Sequence, residues 1–191
     1  MCLLIFGLVM WSCVHLFSSI AKATREKIVS KLGLLPFKGI FAILIVSSII
    51  LIIFGWRSIE ATDVYLPQSW GRHVTFLMVL LTFILFVAAR RTTNIKRILR
   101  HPQLTGLVLW SIGHLLANGD NRSLILFSWL AVWAVLEMIM ISRREGEWIK
   151  PELVSVKNDV ITVIGGCVLY AILLKAHPYL SGIKLNLFIG T

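Results

Sequence analysis

The sequence predicts an all-α, polytopic transmembrane helical bundle of about six spans. Three observations lead there. Of the 191 residues, 58% are hydrophobic, against about 45–50% in soluble domains. Mean hydropathy is +0.86. The apolar residues fall into blocks separated by short charged stretches, and a membrane-crossing helix needs roughly 17–25 of them in a row. The length suits one integral membrane domain, residues 1–191, with no second large domain beside it.

The first block is Cys2–Ala21. Its charges, Lys22, Arg25 and Lys27, follow it. A cleaved signal carries them first, so this block reads as an uncleaved span. Phe37–Trp56 and His73–Ala89 are the second and third spans, with Trp56 and Trp70 at one boundary as interface anchors. The fourth, Pro102–Asn118, is the weakest case because it is short and contains a histidine; a proline at its first position is an ordinary start signal. The loop-forming run Asn118-Gly119-Asp120-Asn121 predicts a tight turn into the fifth span, Ser123–Ser142. Val160–Ala176 is the sixth. The tail from His177 to Thr191, broken by Pro178, Gly182 and Lys184, is not read as a span.

Charge orients the bundle. The connections after spans one, three and five carry 14 of the 19 lysines and arginines; Arg57, Arg72, Arg122, Lys175 and Lys184 are on the other side. The positive-inside rule places the odd-numbered loops in the cytoplasm and both termini outside. The net charge of +10 raises nucleic acid as a partner. It is excluded because the basic residues sit at the ends of apolar blocks and form no aromatic-interleaved stripe; the lipid bilayer is the partner. Cys2, Cys13 and Cys167 lie inside apolar blocks, show no paired spacing, and read as buried small hydrophobes. Nucleotide-binding, zinc-protease and serine-hydrolase motifs are absent from the sequence.

Titratable groups inside spans are costly and therefore functional candidates. His15, His114 and Glu137 stand out. The two histidines share a pattern, G-x3-W-S-x2-H: Gly7, Trp11, Ser12 and His15 in one span, Gly106, Trp110, Ser111 and His114 in another. On a helix, positions i−4 and i−3 lie on the face of i, so each histidine has a tryptophan and a serine beneath it. The glycine would let a flat ligand or another helix come close. The two spans run oppositely, and the backbones of His15 and His114 differ in depth by roughly 10 Å. Helical side chains lean toward their own N-terminus, which tilts both imidazoles toward the bilayer midplane. Three readings stay open: axial ligation of a planar metal cofactor such as haem, hydrogen bonding between helices, and proton or ion transfer. Glu137 either extends toward Arg143 and Arg144 at the surface or orients His15 as a supporting carboxylate. Arg100 and His101, before Pro102, either simply open the fourth span or meet an anionic headgroup or cofactor carboxylate. His73 and His177 read as solvated boundary residues.

The run Arg100-His101-Pro102-Gln103-Leu104-Thr105-Gly106, continued by Trp110, His114 and Asn118-Gly119-Asp120, resembles the central motif of the NnrU family, and Gly7, Val14 and His15 fit it as well. The resemblance covers most of the chain. It implies a bacterial inner-membrane protein linked to nitrogen-oxide metabolism and denitrification. NnrU proteins are in turn similar to the plant and algal ζ-carotene cis–trans isomerase, a membrane haem b protein. Carried over, its two haem ligands match His15 and His114, and its substrate class implies an apolar polyene or other lipid-soluble molecule. The isomerase has a cysteine three residues before its second histidine; this chain has Ser111 there. The resemblance therefore implies plain bis-histidine ligation without a cysteine-for-histidine exchange.

Two other functions compete. Membrane methyltransferases of the isoprenylcysteine type also carry Arg-His-Pro at a helix start, with an Arg/Glu cluster for S-adenosylmethionine. Arg143-Arg144-Glu145-Gly146-Glu147 could supply that cluster, but the aromatic neighbours of the methyltransferase motif are missing. The third reading is a non-enzymatic accessory factor for denitrification enzymes.

Overall fold

The computed structural model describes residues 1–183. Lys184, counted above among the outer charges, and the residues after it lie outside the described residues. The predicted all-α class holds. Among the described residues seven α-helices follow one another: α1 Cys2–Ile20, α2 Lys22–Leu32, α3 Leu34–Arg57, α4 Gly71–Arg90, α5 Pro102–Ala117, α6 Asn121–Glu145 and α7 Val156–Ser181. A short 3-10 helix, Asn94–Arg97, lies between α4 and α5. Five helices, α1, α3, α4, α6 and α7, are long and apolar enough to cross a membrane. The remaining predicted span, α5, has 16 residues, or roughly 24 Å at 1.5 Å per residue.

Three expectations need correction. The loop after the first span contains α2, whose basic sequence buries no residue; an apolar-block reading does not register such a helix. The last helix starts four residues before Val160 and runs past Ala176 through Pro178, ending at Ser181 before Gly182 in the left-handed region (φ 76°). Hydropathy finds the hydrocarbon zone, whereas helical hydrogen bonds continue into the polar zone beyond it. Finally, Cys2, Cys13 and Cys167 are exposed, not buried. Lipid is as apolar as a protein core, so an apolar block does not say which of its faces is covered.

The chain forms two compact units: Met1–Leu66 with Asn118–Ile149, and Pro67–Ala117 with the chain from Lys150 onward. In the first unit α1 packs antiparallel on α3. Gly7 faces Ile52, and Gly55 rests on the backbone of Leu4, where a Cβ would collide. Along α6, α1 runs parallel: the Trp129 indole donates to the Ser12 hydroxyl (2.9 Å), and the Ser19 hydroxyl donates to Glu137. Leu4, Leu8, Phe127, Leu130 and Trp133 are buried in this core.

One end of that unit is closed by the predicted Asn-Gly-Asp turn. The Gly119 carbonyl accepts from the amides of Val64 and Tyr65 (2.8 and 3.1 Å). The Tyr65 phenol donates to the Asn118 carbonyl (2.9 Å). Asp120 caps α6, accepting from the Ser123 amide (3.0 Å). Arg122 pairs with Asp120 (3.4 Å) and stacks over Trp56 at 4.7 Å.

In the second unit α5 lies antiparallel on α4. The Thr82 hydroxyl is shared between the Met78 and Gly106 carbonyls (2.8 and 2.9 Å), the Thr75 hydroxyl reaches Gly113, and Gly71 sits against the Leu116 carbonyl. The other side of α4 takes α7, also antiparallel, with Gly166 on the backbone of Ile84. Asp159 in the first turn of α7 ties down the segment after α4. It accepts from the Asn94 amide (2.8 Å), the Asn94 side chain (2.7 Å) and Thr93 (2.5 Å).

Candidate functional site

Each unit carries one copy of the repeated pattern, and the two copies have the same local geometry. In α1 the Trp11 and His15 rings lie 4.2 Å apart, and His15 Nδ1–H donates to the Trp11 carbonyl (2.9 Å). In α5 the Trp110 and His114 rings lie 4.5 Å apart, and His114 Nδ1–H donates to the Trp110 carbonyl (2.8 Å). A carbonyl only accepts, so in the neutral ring the proton sits on Nδ1 and the lone pair on Nε2. Metal-bound histidines are oriented in this way, by donating their other ring N–H to a carbonyl or carboxylate.

The surroundings of His15 are aromatic. Trp133 of α6 approaches it at 5.0 Å and Phe41 of α3 at 5.8 Å, both edge-on. Trp11 and Trp133 also meet at 5.5 Å. Both indole N–H groups are buried and have no acceptor among the described residues. Sequence reasoning missed Trp133, Trp129 and Phe41. A signal existed: Trp129, Trp133 and Glu137 are spaced four apart and share one face of their helix.

The other candidate residues take definite places. Ser12 is buried, donates to the Leu8 carbonyl (2.8 Å) and accepts from Trp129. Ser111 is buried as well. Glu137 is 5% exposed; it accepts from Ser19 and makes no hydrogen bond to His15 among the described residues. It does not extend to the surface. At both motif glycines the close neighbour is a helix: α3 at Gly7, α4 at Gly106. Arg100 and His101 lie half-buried just before α5, and the His101 carbonyl accepts from the Thr105 amide (2.9 Å) to open it. Among the described residues no three His, Cys, Asp or Glu side chains group as a metal site.

These features define an integral membrane helical protein with a duplicated Trp–His element. The chain belongs to the NnrU family: the family model, described as NnrU protein, matches residues 3–185. Searches of curated proteins and of solved structures found no significant match.

Proposed function

We propose that this NnrU-family protein is a membrane haem protein, with His15 and His114 as the axial ligands. The observation that carries the reading is the twin tethering of Nδ1 to the carbonyl four residues back. It holds each ring in the tautomer whose lone pair is on Nε2, the form of imidazole that ligates iron. That one haem b takes both rings is what the resemblance to the carotenoid isomerase implies. The residues around His15 fit a flat, apolar group: the Trp11, Trp133 and Phe41 rings offer walls that exclude water. Bound haem would supply an iron whose redox state and axial ligation govern its reactivity. The substrate class consistent with such walls is an apolar, lipid-soluble molecule, a polyene in the isomerase analogy, and the family link points to nitrogen-oxide metabolism. Arg100 and His101 are the candidates for a cofactor carboxylate at the cytoplasmic end of α5.

The reading places six crossings in the bacterial inner membrane. Helix direction supports it. Within the first unit α1 and α6 run parallel, so an odd number of crossings separates them, and α3 and α4 alone make an even number. Within the second unit α4 and α7 run antiparallel, so the crossings between them number an even count that requires α5 with α6. Both parities agree with a reading in which α5 is also a span.

The test is the absorption spectrum of detergent-purified protein from haem-replete cells. A Soret band is expected, and His15→Ala and His114→Ala are each expected to abolish or shift it. A colourless wild-type protein overturns the proposal. Haem incorporation unchanged in both variants overturns the assigned ligands.

A further inference from the structure

The first unit contains a cavity of about 550 Å³ whose walls include Lys22, Arg25, Lys38, Arg144, Phe37 and Phe41. It is built where the last turn of α1, the first turn of α2, the first turns of α3 and the last turn of α6 meet. There the apolar blocks give way to charge, at the depth of lipid headgroups. Four cations face one carboxylate, Glu145. That carboxylate is taken up by Arg144 at 3.3 Å, which also donates to the Ser18 carbonyl at 3.2 Å. Arg25 and Lys38 make no ion pair among the described residues. Lys22 has only a solvent-exposed partner, Glu26, at 3.9 Å, a kind of pair that binds weakly. The cavity thus carries uncompensated positive charge.

Its other wall is apolar. The Arg25 guanidinium lies 5.5 Å over the Phe37 ring. Phe37, Phe41 and Leu44 then continue along one face of α3 at spacings of four and three, and Leu44 is exposed at 37%. A free inorganic anion has no use for such a stripe. A molecule with an anionic head and a long apolar tail uses both.

We propose that this cavity is a binding site for an anionic phospholipid. Its phosphate sits among Arg25, Lys38, Lys22 and Arg144, and an acyl chain follows the Phe37–Phe41–Leu44 face into the bilayer. The site includes neither candidate iron ligand, and it shares with the surroundings of His15 the ring of Phe41, which lies 5.8 Å from that imidazole.

The experiment uses the full chain in bilayer nanodiscs with spin-labelled phosphatidylglycerol or phosphatidylcholine, reading the motionally restricted fraction. Wild type is expected to prefer phosphatidylglycerol. A cation near an anionic lipid contributes about five-fold in affinity, so Arg25→Gln and Lys38→Gln should each lower the preference about that much. Arg25→Lys should keep it. The charge-matched variants Arg91→Gln and Lys157→Gln should leave it unchanged. The proposal is overturned if wild type shows no preference, or if the control pair lowers it equally, which marks diffuse surface attraction. It is overturned if inorganic phosphate at the same phosphate concentration displaces the label completely, which marks a free-anion site. It is also overturned if the cavity variants lose a Soret band while lipid preference stays, which assigns the cations to a cofactor carboxylate.

Discussion

His15 and His114 begin from the same local sequence and end in different company. In both, the tryptophan four residues back packs against the imidazole and its carbonyl accepts a hydrogen bond from Nδ1–H. Beyond that turn of helix they diverge. The helix of His15 is flanked by α3 and α6, which bring Phe41 and Trp133 against the ring. The helix of His114 lies on α4 through Gly106 and Gly113, where threonine hydroxyls meet bare backbone carbonyls. One histidine is walled by large rings from other helices. The other is on a helix held by close backbone approach. The difference teaches that a nine-residue pattern can set a histidine's tautomer while leaving its surroundings undecided.

The most damaging change should fall on the close-packed side. Gly71→Leu puts a side chain into the Leu116 carbonyl, and neither backbone can yield cheaply. Overpacking costs about 1–3 kcal/mol and often more, so loss of the monodisperse peak in size-exclusion chromatography is expected. A normally folded Gly71→Leu protein would show that α4 and α5 are not held by this contact.

On the aromatic side, Trp133→Ala removes a buried ring, a loss of about 3–5 kcal/mol in soluble cores. Thermal denaturation in detergent should show a lower midpoint. NMR of the histidine ring protons should shift for His15 and stay in place for His114. Equal shifts at both would break the contrast between the two sites.

A smaller effect belongs to the turn that follows α5. Asp120→Ala deletes the cap of α6, worth about 1 kcal/mol, and frees Arg122 from its carboxylate. The thermal midpoint should fall modestly while any haem spectrum is unaffected.

The smallest effect is a pH dependence at the same turn. Burial, and then the charge of Asp120, raises the Tyr65 phenol above its ordinary value of 10.0. The folded state therefore favours the protonated phenol, the form that donates to Asn118. Its contribution is complete below pH 10 and is lost as pH rises through the folded value. Stability measured from pH 9 upward should decline, and Tyr65→Phe should flatten that decline. An unchanged slope in Tyr65→Phe would remove Tyr65 as its source.

Much of the fold was legible because the bilayer is a demanding solvent. It requires long apolar helices, and these are visible as blocks. The Asn-Gly-Asp turn was legible as a turn, but not as the acceptor for Val64 and Tyr65, because those partners are over fifty residues away. Glu137 was visible as a costly carboxylate; its bond to Ser19 rather than His15 depends on how α1 and α6 are rotated. The three cysteines show the same limit, since apolarity in a membrane chain does not distinguish the lipid face from the core.

By itself the sequence determined the helical class, the approximate places of the long helices and the local Trp–His geometry, because composition, hydropathy and helix periodicity act over one or two turns. Only the tertiary structure decided that α1 packs along α6, that Phe41 and Trp133 surround His15, and that Lys38 and Arg144 share a cavity with Lys22 and Arg25. Those facts depend on the rotation and direction of each helix against its neighbours. In a membrane these are set by a few glycines and hydroxyls at helix contacts rather than by hydrophobicity.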